Sequence, residues 1–139
     1  METLQVDIVS AEGEIISGPA KMVFAPASQG EVGIAPRHAP LLTLLKAGEV
    51  RVQTPDGQEQ FFFVGGGALE VQPRHVTVLA DTALRAKDID EAAALAAKQR
   101  AEEALKDKAG SIDQAEALAE LARAAAQLKV LARLRKIRG

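Results

Sequence analysis

The chain has 139 residues, 47% of them apolar, a formal net charge of −2, and no cysteine, tryptophan or tyrosine. That length suits one domain or two small ones. The composition excludes disulfides, thiolate nucleophiles and cysteine-ligated metals, and it provides poorly for nucleic acid, which calls for cationic surfaces and stacking rings.

The N-terminus, Met1-Glu2-Thr3-Leu4-Gln5-Val6-Asp7, lacks the basic and apolar regions of a leader peptide and the Arg- and Ser-rich pattern of a transit peptide. No run approaches the roughly 18 apolar residues of a membrane span. From Leu4 to Ala83 the period is two. Leu4, Val6 and Ile8 alternate with Gln5, Asp7 and Val9; Val50 and Val52 alternate with Glu49, Arg51 and Gln53; Val76, Val78 and Ala80 alternate with Thr77 and Leu79. Turn signals recur at Glu12-Gly13, Gly18-Pro19, Pro55-Asp56-Gly57 and Gly65-Gly66-Gly67. The pattern predicts an all-β unit over residues 1–86, a flattened β-sandwich or barrel of about ten strands.

Within it, residues 30–42 read as a stiff, exposed loop. Gly30 and Gly33 reach backbone conformations that a Cβ resists, and Pro36 and Pro40 fix φ and withhold donors, keeping Arg37, His38 and Ala39 out of a central strand. On spacing alone it is either an ornate turn or a docking surface. Pro55-Asp56-Gly57 predicts a hairpin loop. The run Phe61-Phe62-Phe63-Val64 is apolar on successive residues, so it is buried on both faces or covered by a partner. Gly65-Gly66-Gly67 lacks the Lys-Ser or Lys-Thr of a phosphate loop and opens no helix; it reads as a bulge or a tight turn where another backbone approaches.

After Ala83 the period becomes about 3.6, and 17 of the residues from Ala86 to Ala132 are alanine. Asp88 with Glu91 predicts a helix start, and Gly110 a stop near Lys108. Ser111 with Gln114 predicts a second start, for a helix running towards Ile137 along a stripe of Leu118, Leu121, Ala125, Leu128 and Ala132. The expected architecture is therefore α+β: the sandwich, then an antiparallel two-helix hairpin over residues 87–139. A thin alanine seam between self-stable helices suits a hairpin that opens at modest cost, or an Ala-rich tail. The last segment carries Lys129, Arg133, Arg135, Lys136 and Arg138 and no acid; these cations suit a helix C-terminus, or an acidic partner or membrane surface. His38 and His75 are the only histidines, too few for a zinc site without carboxylates from separate loops, and no nucleophile-elbow context surrounds Ser10, Ser17, Ser28 or Ser111.

Two blocks carry a family resemblance: Gly30-Glu31-Val32-Gly33-Ile34-Ala35-Pro36-Arg37-His38-Ala39-Pro40-Leu41-Leu42, and Leu69-Glu70-Val71-Gln72-Pro73 continuing through Val76-Thr77-Val78-Leu79-Ala80-Asp81-Thr82-Ala83. In order and spacing the chain resembles the epsilon subunit of bacterial F-type ATP synthases. The resemblance implies a non-catalytic rotor subunit, peripheral on the cytoplasmic face of the inner membrane. Its sandwich would bind the gamma subunit on a sheet face and the c-ring through Gly30, Glu31, Val32, Gly33, Arg37 and His38. Its hairpin would extend to inhibit ATP hydrolysis, meeting the alpha/beta hexamer through Lys129, Arg133, Arg135, Lys136 and Arg138.

Some members of that family bind ATP on the hairpin. The corresponding stretch here, Ile89-Asp90-Glu91-Ala92-Ala93-Ala94, has Ala93 in place of the motif's arginine, and Gln127 stands where another is expected. Ile89, Asp90, Arg100 and Arg123 remain as candidate nucleotide contacts, which implies weak ATP binding or none and no resident cofactor. The alternatives from other classes are a stand-alone nucleotide-sensing module and a small hydrolase using His38.

Overall fold

The computed structural model describes residues 2–106 and 114–138. Alternation places the first strand: in β1 (Leu4–Ser10) Leu4, Val6 and Ile8 are buried while Gln5, Asp7 and Val9 are half-exposed. β2 (Gly13–Ala20) returns antiparallel to it, and β7 (His75–Ala80) lies parallel on its other side. β3 (Met22–Ala27) and β4 (Gly30–Ile34) form a hairpin. β5 (Leu41–Gln53) and β6 (Glu59–Gln72) are joined by the turn at Pro55–Gly57, where Thr54 N donates to Gln58 O at 2.9 Å. The short β8 (Ala83–Arg85) pairs with β6.

The strand order is β2-β1-β7-β6-β5-β3-β4 with β8 on β6, so the described residues form eight strands where about ten are expected. The difference lies in β5 and β6, which run 13 and 14 residues and serve both layers. Residues 67–72 of β6 pair with β7, whereas residues 62–64 pair with β8. Between these halves lies the glycine triplet. Gly66 and Gly67 have φ of +116° and +131°, and a Cβ on Gly67 would fall 2.0 Å from Leu79 O. The triplet is the corner at which β6 passes from one layer to the other, with a neighbouring backbone pressed against it. Between the layers lies one core, including Val6, Ile8, Val23, Ile34, Val50, Val52, Phe62, Val64, Leu69 and Val78.

Phe61 and Phe63 point away from that core. They are buried instead with Ala86, Ile89, Ala126, Val130 and Leu131, so the cover over this strand is the chain's own C-terminal part. A 3₁₀ turn (Ala86–Asp88) leads into α1 (Glu91–Lys106), and α2 is Gln114–Arg138. Asp88 does not cap α1. It is absorbed in the 3₁₀ turn, and Asp90 takes the role, its Oδ1 accepting from Ala93 N at 3.1 Å. The stop at Gly110 and the cap at Ser111 lie outside the described residues.

The hairpin is folded down. α2 packs on β5, β6 and the 3₁₀ turn, and α1 packs on α2. α2 therefore has two inner faces. Ala117 and Ala124 are buried at seven-residue spacing, as are Ala94 and Ala101 on α1, while Ala126, Val130 and Leu131 join the cluster over Phe61 and Phe63. The expected stripe meets this arrangement only in part: Leu121 and Leu128 are half-buried, but Leu118 is 56% exposed, and Ala125 and Ala132 also face solvent. A helix wedged between two partners has no single seam.

Candidate functional site

Residues 30–42 are not one loop. Gly30–Ile34 is the edge strand β4, and Leu41 and Leu42 already belong to β5, leaving residues 35–40 as the connection. The candidate ring contacts are thereby split between the two ends of β4, about 15 Å apart at strand rise. At one end Gly30 turns at φ +134° and Glu31 is exposed. Glu31 lines a 380 Å³ cleft beside α2 with Lys46, Glu49, Lys129 and Arg133. Between the ends, Val32 packs on the core, and Gly33 leaves room for the Phe24 ring, 3.1 Å from where a Cβ would be.

At the other end the connection is braced as its prolines suggest. Arg37 holds φ at +71°, the one non-glycine residue with positive φ among the described residues. Its N–H donates to Pro73 O at 2.7 Å, His38 N–H donates to Ala35 O at 3.2 Å, and its guanidinium lies 2.6 Å from Glu2 Oε1. His38 Nδ1 is 2.7 Å from Ala39 O. His38 therefore makes a local backbone contact, and no group of three or more metal-ligating side chains gathers among the described residues. The other histidine, His75, is paired: Nε2 lies 2.5 Å from Asp7 Oδ2, and Ser17 Oγ donates to Asp7 Oδ1 at 2.5 Å. The Ser17 hydrogen bond, with help from His75 and Gln5, holds the Asp7 carboxyl below its ordinary value.

The basic end of α2 divides in two. Lys129 and Lys136 are exposed, whereas Arg133 and Arg135 face acids of their own chain; the side chain of Arg138 lies outside the description. Arg135 Nη1 donates to Glu91 Oε2 at 2.6 Å, tying α2 to α1, and this hydrogen bond lowers the Glu91 carboxyl. Arg133 Nη2 lies 3.3 Å from Glu49 Oε1, tying α2 to β5, with its guanidinium 5.9 Å from the Phe61 ring centre. Burial pushes the Glu49 carboxyl up despite Arg133 and Arg51 nearby.

The four candidate nucleotide contacts do not share one setting. Ile89 is buried under α2, and Asp90 caps α1. Arg100 Nη2 donates to Glu120 Oε1 at 3.3 Å. Arg123 lines a separate cleft of 620 Å³ with Lys46, Asp81, Leu79 and the glycine triplet. Arg100 is not among the residues of that cleft.

One feature was not anticipated from the residues. Leu44, Ala68 and Leu79 stand in register across β5, β6 and β7. Leu44 is 67% exposed and Leu79 50%, with Leu42 at 74% two residues along β5. An apolar row on the outer face of a sheet is costly in water and is a candidate surface for a partner. The signal was present in the alternation Leu42-Thr43-Leu44, where the buried residues turn out to be Leu45 and, partly, Leu41 and Thr43.

Comparison with known proteins gives the context. Residues 3–86 match the family model for the beta-sandwich domain of the ATP synthase delta/epsilon chain, and residues 87–132 match the model for its long alpha-helix domain. The chain is 70% identical over 134 residues to the ATP synthase epsilon chain of Nitrosococcus oceani, covering 96% of each. It is 62% identical over 136 residues to that of Alkalilimnicola ehrlichii, covering 98% of this chain and 97% of the relative. Its fold is similar to a chain of the Euglena gracilis mitochondrial ATP synthase assembly OSCP/F1/c-ring, with TM-score 0.82 at 17% identity over 93% of this chain and 81% of that one. It is also similar to a chain of the Tetrahymena thermophila mitochondrial central stalk and c-ring, with TM-score 0.62 at 13% identity over 94% and 97%.

Proposed function

Since the chain belongs to the delta/epsilon chain family of ATP synthase, a non-catalytic subunit of that complex, we propose that it couples gamma to the c-ring and restrains ATP hydrolysis through its hairpin. Residues 1–86 are the docking unit and residues 87–139 the regulatory one. The row Leu42, Leu44 and Leu79 is the face for gamma, because it is the apolar sheet surface that α2 leaves open. The braced connection around Arg37 and His38, together with Glu31, meets the ring's polar loops. No described helix is long and apolar enough to cross a membrane, and attachment at the cytoplasmic face comes through the complex.

One observation carries the regulatory part. In the folded-down state Arg133 is occupied by Glu49 of the sandwich, so release of α2 uncovers this cation for acidic loops of the alpha/beta hexamer, while Arg135 stays paired with Glu91 inside the hairpin. A ligand or partner moves that equilibrium only through its different affinity for the two states. The test is removal of residues 88–139. The shortened chain is expected to co-purify with gamma and support coupled synthesis while hydrolysis rises. Loss of assembly would refute the division of labour. Leu44→Asp in the full chain is expected to abolish gamma co-purification without changing the fold; unchanged capture would refute the assigned face.

A further inference from the structure

Two ion pairs anchor the end of α2, and they differ in kind. Arg135–Glu91 is short, at 2.6 Å, and solvent-exposed, with side chains 62% and 42% accessible. It lies within the hairpin, and the Glu91 carboxyl is lowered by it. Arg133–Glu49 joins the hairpin to the sandwich. Glu49 is only 12% accessible, its Oε1 stands 3.3 Å from Arg133, and its Oε2 is buried with no hydrogen-bond partner.

The groups around Glu49 do not complete its solvation. Arg51, two residues along β5, sits 4.1 Å from the Phe24 ring centre and 3.5 Å from Glu59. Lys46 of β5 and Lys129 of α2 line the same cleft, as does Glu31 of β4, a second negative charge facing the first. Taking a carboxylate out of water costs more than a single long contact returns. The raised Glu49 carboxyl agrees in sign: desolvation outweighs both arginines.

We infer that Glu49 is a release element: a carboxylate buried beneath α2, incompletely paired, that holds the docked hairpin close to its undocking point. The inference rests on the reading of the hairpin as a regulatory arm. Glu91–Arg135 keeps the two helices together, while Glu49 loosens their joint attachment to β5, so the hairpin leaves the sandwich as a unit.

Undocking removes the tertiary packing that steadies a helix, so its amides open more often, and amide exchange of α2 in the full chain follows the undocked population. Glu49→Gln and the uncharged Glu49→Met are both expected to slow α2 exchange by about three- to tenfold, with sandwich amides unchanged. Arg133→Met removes the ion pair of this acid and is expected to speed exchange, and adding Glu49→Met is expected to reverse that. A carboxyl raised in the docked state favours docking at low pH. Wild-type α2 protection is therefore expected to weaken as pH rises from about 4.5 upward, and Glu49→Met to lack that slope. Faster exchange in both Glu49 variants would overturn the inference, because the pair would then be a clasp. Hydrolysis by the assembled complex forms a separate arm. If α2 exchange slows as expected and hydrolysis does not change, the inhibitory reading fails and the role of Glu49 in docking stands.

Discussion

Val130→Ala isolates the apolar part of hairpin docking. Val130 is 0% exposed and belongs to the cluster of Phe61, Phe63, Ala86, Ile89, Ala126 and Leu131. Removing its two methyl groups forfeits about 0.8 kcal/mol each, and the cavity left behind brings the loss to about 2 kcal/mol. Alanine is the better helix former by roughly 0.5 kcal/mol, but that gain applies to α2 docked and undocked alike and cancels from the docking equilibrium. At tenfold per 1.4 kcal/mol, the undocked population is expected to rise about 25-fold. Amide exchange in the isolated chain should show this acceleration in α2 and α1, with β1 and β7 unaffected. In the assembled complex the same substitution should deepen inhibition of hydrolysis. Exchange within twofold of wild type, or equal acceleration in β-strand amides, would refute the assignment of Val130 to a separable docking interface.

Gly67→Ala places a Cβ 2.0 Å from Leu79 O at a φ of +131°. Strain and overpacking together are expected to cost about 3 kcal/mol or more, seen as a thermal midpoint lower by about 10 °C. Ser17→Ala removes the chief cause of the lowered Asp7 carboxyl. A depressed acid stabilises above its unfolded value of 3.8 and loses that contribution as pH falls through the folded value. The variant should thus be less stable than wild type near pH 7 and converge with it in thermal unfolding as pH falls below 3.8. Calorimetric titration with ATP is expected to show weak binding or none, and Arg123→Ala to abolish any heat that appears. Tight binding would mean that Ala93 and Gln127 are not the losses they are taken for.

Where one physical rule governed a segment, the residues disclosed it. Strands β1 and β7 follow alternation because one face meets the core and the other meets water. The glycine triplet was legible as a close approach because no other residue tolerates a backbone at that distance. The misreadings fall where two rules compete. Gly30 and Gly33 are turn-like in composition, yet Gly33 is small to admit the Phe24 ring, and the segment is a strand. Asp88 and Asp90 are equally good caps locally; the 3₁₀ turn at the domain junction decides between them. The stripe on α2 was misphased because the helix is buried on two sides by partners distant in sequence. Glu49 could not be singled out at all: a glutamate on an alternating strand is an ordinary solvent-facing residue until α2 covers it.

The two long strands have a mechanical consequence. β5 starts beside the braced connection at residues 35–40 and ends beyond the cleft where Glu49 meets α2, in one uninterrupted backbone of 13 residues. β6 runs antiparallel beside it from Glu59 to Gln72. A twisting load applied at one end of the molecule would travel to the other through covalent bonds and a long ladder that skips one pair, at Lys46, not across a slip plane between stacked sheets. Such a body behaves as a stiff shaft key, while the hairpin clipped to its flank is free to leave without softening it.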